Sequence, residues 1–165
     1  MRRSLRIGIL AAATILLLAV LVFPAPARAP SPGPLCKALL ATPLPQSQLP
    51  AGYHAAKPVR TSPSSRARRH HVICEVEIDF RKGKDAIFFI VFPTRHDALG
   101  NLRDGLKAAK GVTSRRPLHN LPQGNVIITT TTTNSAPGSM RGDVAGTLAL
   151  TRLALRHLRA IERRL

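Results

Sequence analysis

The clearest pattern in the chain runs from His71 to Phe80, where apolar residues fall at 72, 74, 76, 78 and 80 and Glu75, Glu77 and Asp79 alternate with them. A period of two predicts a strand with one packed face and one wet face. Arg81 to Asp85 reads as a turn. Ala86 to Phe92 then returns as an unbroken apolar run, which suits a strand covered on both sides. The two strands predict a hairpin. Pro93 ends it, and Thr94 with Asp97 three residues on has the form of a capping box. Leu99, Leu102, Leu106 and Ala109 follow at helical spacing as far as Gly111.

The flanks are shorter and less regular. Leu35 to Leu40 predicts a short helix stopping before Pro43, with Leu35, Leu39 and Cys36 inward. Prolines 43, 45 and 50 make turns, and a strand is expected between Ala51-Gly52 and Val59. Thr61 to Arg69 has no apolar period and reads as an exposed loop. Residues 112–122 show no decisive pattern. Asn125 to Thr133 is rich in β-branched residues and predicts a strand. A turn at Asn134–Gly138 leads to a last helix from about Gly142 to the C-terminus, capped by Asp143. On that helix Leu150, Ala154, Leu158, Ile161 and Leu165 share one face, and Arg152, Arg156, Arg159 and Arg163 form a stripe almost opposite. The order predicts an α+β fold: a small two-layer domain, an antiparallel or mixed sheet of about four strands with helices on one face. The carboxylate face of the 71–80 strand would be the open one.

Ahead of this domain stand Arg2, Arg3 and Arg6, an apolar run from Ile7 to Phe23, and the small-residue stretch PAPARAP. These are the three parts of a secretory signal. Cleavage is expected after Ala27, because the alternative frame ending at Ala29 would place Pro30 directly after the cut. The reading is 1–27 signal peptide, 28–34 Pro-rich linker and 35–165 a single α+β domain. An uncleaved anchor through residues 7–23 is the alternative, at the lower edge of what spans a bilayer; a twin-arginine route is a minor one. The expected location is secreted, periplasmic or cell-envelope, and the richness in Ala, Arg and Pro suggests a bacterial source.

Location changes how Cys36 and Cys74 are read. An even count in an exported chain favours a disulfide, which by loop closure would stabilise by about 4 kcal/mol. Two free thiols or a metal pair compete with that reading. Charge is the other strong feature: 25 Lys+Arg against 8 Asp+Glu give +17, and loss of the signal leaves 22 against 8, a net +14. Such a domain attracts polyanions and anionic surfaces.

Catalytic patterns are weak. His70 and His71 are adjacent on an expected strand and point apart, and His54, His96, His119 and His157 have no metal-binding spacing. Glu75, Glu77 and Asp79 form a row explained by cross-strand salt bridges to basic residues. No nucleophile elbow or phosphate loop is present. The Arg141-Gly142-Asp143 tripeptide is explained by helix capping, and the threonine run by a strand, although it could accept O-linked sugar. Phenylalanines 80, 88, 89 and 92 lie in packed strands, so exposed stacking rings for a nucleic acid are not evident.

The candidate anion-binding residues are Arg152, Arg156, Arg159 and Arg163, with Arg66, Arg68 and Arg69 and the Lys82/Lys84 turn. The functional expectation is a non-enzymatic, exported cell-envelope protein that binds anionic lipid or envelope polymer, with no cofactor, no metal and no specific nucleic acid. A small exported hydrolase, or a carrier of a small apolar ligand suggested by Phe88, Phe89 and Phe92, are the alternatives.

Overall fold

The hairpin is the centre of the structure. In the computed structural model, which describes residues 30–80, 85–109, 118–131 and 144–165, β2 (Cys74–Asp79) pairs antiparallel with β3 (Ala86–Val91). The edge strand β1 (Val59–Thr61) adds to β2, and β5 (Val126–Thr131) adds to β3. The outer strand β4 (Leu118–Gln123) pairs with β5 across a two-residue Gly124-Asn125 turn. Gly124 takes a φ of +57° there, the left-handed conformation that glycine adopts without steric cost. The sheet is thus five antiparallel strands in the order β1-β2-β3-β5-β4. The fifth strand comes from the undecided 112–122 segment, where Pro122 sits on an outer strand that can lack one amide donor. The strand expected before Val59 is reduced to a single Ala55–Phe80 bridge ahead of β1.

Helices cover both faces, not one. On the first face, Cys74, Val76 and Ile78 lie in rows with Phe89, Ile87, Val126 and Ile128. Helices α1 (Pro32–Ala41) and α4 (Val144–Glu162) pack there, bringing Leu35, Leu39, Leu150, Leu153, Ala154, Leu158 and Ile161 into the same core. Helix α1 starts at Pro32, inside the expected linker, because proline is tolerated where no helical hydrogen bond is made by the amide. Leu165 lies past the end of α4 and is exposed, unlike the rest of its expected stripe.

The second face carries α2 (Ser65–Arg69) and α3 (Arg95–Ala109). A smaller cluster of Phe92, Ala98 and Ile127 forms there, with Val72, Ile90 and Leu102 against it. Helix α2 replaces the exposed loop expected over 61–69: the Ser64 hydroxyl accepts from the Ala67 amide at 3.1 Å, and Ala67 is buried. The Thr94 cap forms as expected, accepting from the Asp97 amide at 3.2 Å while its hydroxyl donates to the Asp97 carboxylate. The leucine stripe of α3 is only half used. Ala98 and Asn101 are buried, whereas Leu106 is 60 % exposed. Residue His71, at φ 57°, ends the alternation; Val72 joins the second cluster, so the strand starts at Cys74.

The disulfide between Cys36 and Cys74 joins α1 to β2 with a Cα–Cα distance of 6.2 Å. The cysteines are neither free nor a metal pair. No helix among the described residues is long and apolar enough to cross a membrane. The 1–27 signal with its 7–23 anchor alternative, the Lys82/Lys84 turn, the Asn134–Gly138 turn and the Arg141-Gly142-Asp143 start of the last helix lie outside the described residues.

Candidate anion-binding groove

Helix α4 is 19 residues long with a single acidic residue, Glu162. Its apolar side is fixed by the core, so its arginines must point away from the sheet. What they point into depends on the segment after α1. There Thr42, Pro43 and Pro45 lead into one 3-10 turn, Gln46–Gln48, and Leu44 is buried in the main core. The prolines keep this segment extended and off the helix surface. The result is a recess of about 630 Å³ with Pro43, Pro45 and Gln48 on one wall and Arg156, Arg159, Arg163 and Arg164 on the other. A second recess of about 310 Å³ continues it past Leu49 and Pro50 to Arg152. Gln48 and Arg156 line both. The two recesses adjoin along α4, and no Asp or Glu is among their lining residues.

His157 lies at its base and ties the walls together. It is 6 % exposed, its ring packs near Phe89 with centroids 6.2 Å apart, and its Nε2 lies 3.1 Å from the Thr42 carbonyl oxygen. A carbonyl only accepts, so Nε2 carries the proton and donates. Burial holds the imidazole below its ordinary pKa, with the Arg164 charge adding to the effect and the Thr42 bond opposing it. The ring is a neutral strut at physiological pH. Glu162 is raised by burial, and the nearby Arg159 charge restrains that rise. Among the described residues, none of the five arginines forms an ion pair within 4.0 Å.

All four arginines of the expected stripe, Arg152, Arg156, Arg159 and Arg163, therefore line the groove. Arg66, Arg68 and Arg69 do not join them. They sit on α2, which docks on α3 at the second face. Arg66 lies over Gly105, where a Cβ would come within 3.2 Å of its guanidinium carbon. Arg68 donates to the Pro63 carbonyl, and Arg69 is near enough to Asp104 to help lower its pKa, after the dominant His70 hydrogen bond. The groove residues that sequence reasoning missed are Arg164, His157 and the proline wall. Arg164 lies past the end of α4, where helical spacing does not place it, and the wall reaches α4 only by tertiary packing.

The other candidate chemistries fare as follows. His70 caps α2 and its Nε2 pairs with Asp104 at 3.0 Å, and His157 is buried. No group of three or more His, Cys, Asp or Glu among the described residues is placed to hold a metal ion. Glu75 and Glu77 have no ion pair to a lysine or arginine among the described residues. Burial raises both pKa values; the Thr61 hydroxyl tempers the rise at Glu75, and the Asp79 charge adds to it at Glu77. Two hydroxyls of the threonine run are turned inward: Thr130 meets Thr151 at 2.7 Å, and Thr129 donates to Asn120 at 2.7 Å. Phe89 and Phe92 are fully buried in separate clusters on opposite faces.

Comparison with protein-family models, with curated proteins and with solved structures finds no match to this chain.

Proposed function

We propose that this protein is an exported, non-enzymatic component of the bacterial cell envelope whose basic groove binds anionic lipid or envelope polymer. The observation that carries the reading is the alignment of Arg152, Arg156, Arg159, Arg163 and Arg164 along one groove with no lining carboxylate. Guanidinium groups form bidentate hydrogen bonds with phosphate and carboxylate, and a shared recess sums their fields at one place. Two further features support export: the Arg2/Arg3/Arg6 and Ile7–Phe23 leader, and a disulfide, which persists in oxidising compartments.

The test is binding of the oxidised protein to isolated envelope fractions at rising salt, with N-terminal sequencing of exported material. Binding should weaken steeply between low and physiological ionic strength and fall at least tenfold when Arg152, Arg156, Arg159 and Arg163 are all changed to Gln. Salt-insensitive binding, or a quadruple variant that binds as well as the parent, overturns the reading.

A further inference from the structure

We infer that the groove takes a single extended phosphodiester polymer laid along α4, and not the plane of a lipid bilayer; this rests on the anion-binding reading above. The first reason is shape. A flat surface meets arginines from one side only, whereas these exposed arginines border a recess and are faced across it by Pro43, Pro45 and Gln48. A headgroup fixed in a bilayer cannot enter both linked recesses at once. One flexible chain can, passing from the Arg163 end to the Arg152 end by way of Gln48 and Arg156, which border both.

The second reason is spacing. Arg152, Arg156, Arg159 and Arg163 follow one another at about one helical turn, an axial step of roughly 5.5 Å on average. A glycerol-phosphate polymer has six backbone bonds per repeat. Three backbone bonds of a stretched chain cover about 3.5 Å, so its phosphates lie roughly 7 Å apart at full extension. With modest slack it matches one phosphate to each arginine over about four repeats. The third reason is the character of the far wall. Prolines and Gln48 supply apolar contact and one neutral amide, which suits the uncharged glycerol between phosphates. A row of bases would need aromatic platforms, and the groove lining holds no Phe, Tyr or Trp.

The test compares one chemistry in two presentations: soluble poly(glycerol phosphate) and vesicles of phosphatidylglycerol, with oligothymidylate as a third probe, all at physiological salt. Affinity for glycerol-phosphate oligomers should rise with length up to about four repeats and then level off, exceeding that for vesicles and for oligothymidylate by at least tenfold. Arg156→Gln/Arg159→Gln should lower it at least tenfold, while Arg68→Gln/Arg69→Gln, which removes the same charge from α2, should change it less than twofold. Gln48→Glu, on the exposed far wall, should also lower it several-fold, with circular dichroism confirming that each variant is folded. Preferential binding to vesicles overturns the polymer assignment while leaving the anion-binding reading standing. Equal binding of oligothymidylate, or equal effects of the two arginine pairs, overturns it as well. Binding to none of the probes removes both.

Discussion

The two faces of the sheet are built from the same strands and have opposite characters. On the first face the residues of β2 and β3 (Cys74, Val76, Ile78, Ile87, Phe89, Val91) are almost wholly buried, and two helices and a disulfide hold the layer above them. On the second face the same strands present Glu75, Glu77, Phe88 and Ile90. There Glu77 lies in a row with Val59, Phe88, Thr129 and Asn120. Buried polar atoms on that side, among them Arg66 Nε and Asn101 Oδ1, have no hydrogen-bond partner among the described residues, and such atoms are costly unless solvated. The tightly packed face carries the groove, because a helix fixed by a full core holds its arginines in register.

Neighbouring phenylalanines give the sharpest way to break this contrast. Phe89→Ala removes a fully buried ring from the first core and should cost about 3–5 kcal/mol in denaturant unfolding. Phe88→Ala, half-buried on the second face, should cost less than half as much; equal losses would show that the faces are packed alike. Next in size, replacing both Cys36 and Cys74 by Ala should cost about 4 kcal/mol for a bridge that spans 38 residues. An unchanged unfolding midpoint would contradict the role of the bridge in holding α1 down.

A smaller effect probes the second face alone. A Cβ on Gly100 would lie 2.8 Å from the His70 ring, so Gly100→Ala should destabilise by about 1 kcal/mol. In a His70→Ala background the clash is gone, and the same change should stabilise by up to about 1 kcal/mol through helix propensity. Additive effects of the two substitutions would mean that α2 does not rest on α3 in this way.

The smallest expected effect is in pH. His157 is held neutral, so the stability it contributes is present above its ordinary value of 6.5 and is lost as pH falls below that toward its lowered folded pKa. Glu75 works in the other sense. Its raised folded pKa means that stability is gained as pH falls through that value toward 4.5. His157→Gln should flatten the first limb of a stability–pH curve and Glu75→Gln the second; a curve identical in all three proteins would remove both assignments.

Much of the first face was legible in the chain. The alternation of 74–80, the apolar run of 86–92 and the apolar stripe of the last helix are periodic patterns, and they survive tertiary packing; Val72, expected in the same row, packs on the other face. The Thr94 cap was legible because its contacts are local. The second face was not. Helix α2 is too short and too charged to show a period, and it is held by the Ser64 cap and by Arg66 and His70 lying against α3. The face of α3 turned inward carries Ala98, Asn101 and Leu102, with Gly100 and Gly105 lying under His70 and Arg66, and only Leu102 of its leucine stripe packs in the second-face cluster. The groove was half legible: helical spacing aligned four arginines, but the wall that makes them line a recess comes from residues more than a hundred positions away, as the contact of His157 with Thr42 shows.

The bond between Cys36 and Cys74 has a consequence in time. Thr42, at the end of α1, carries the carbonyl that His157 holds, and the proline wall begins at the next residue. Beside the bridge, the wall is held by the packing of Leu35, Leu39 and Leu44 in the core and by the His157–Thr42 contact. Closing the bridge pins α1 to β2, so a chain kept reduced should hold the Thr42–Gln48 wall less firmly against α4, and reduction should loosen the recess before it unfolds the sheet.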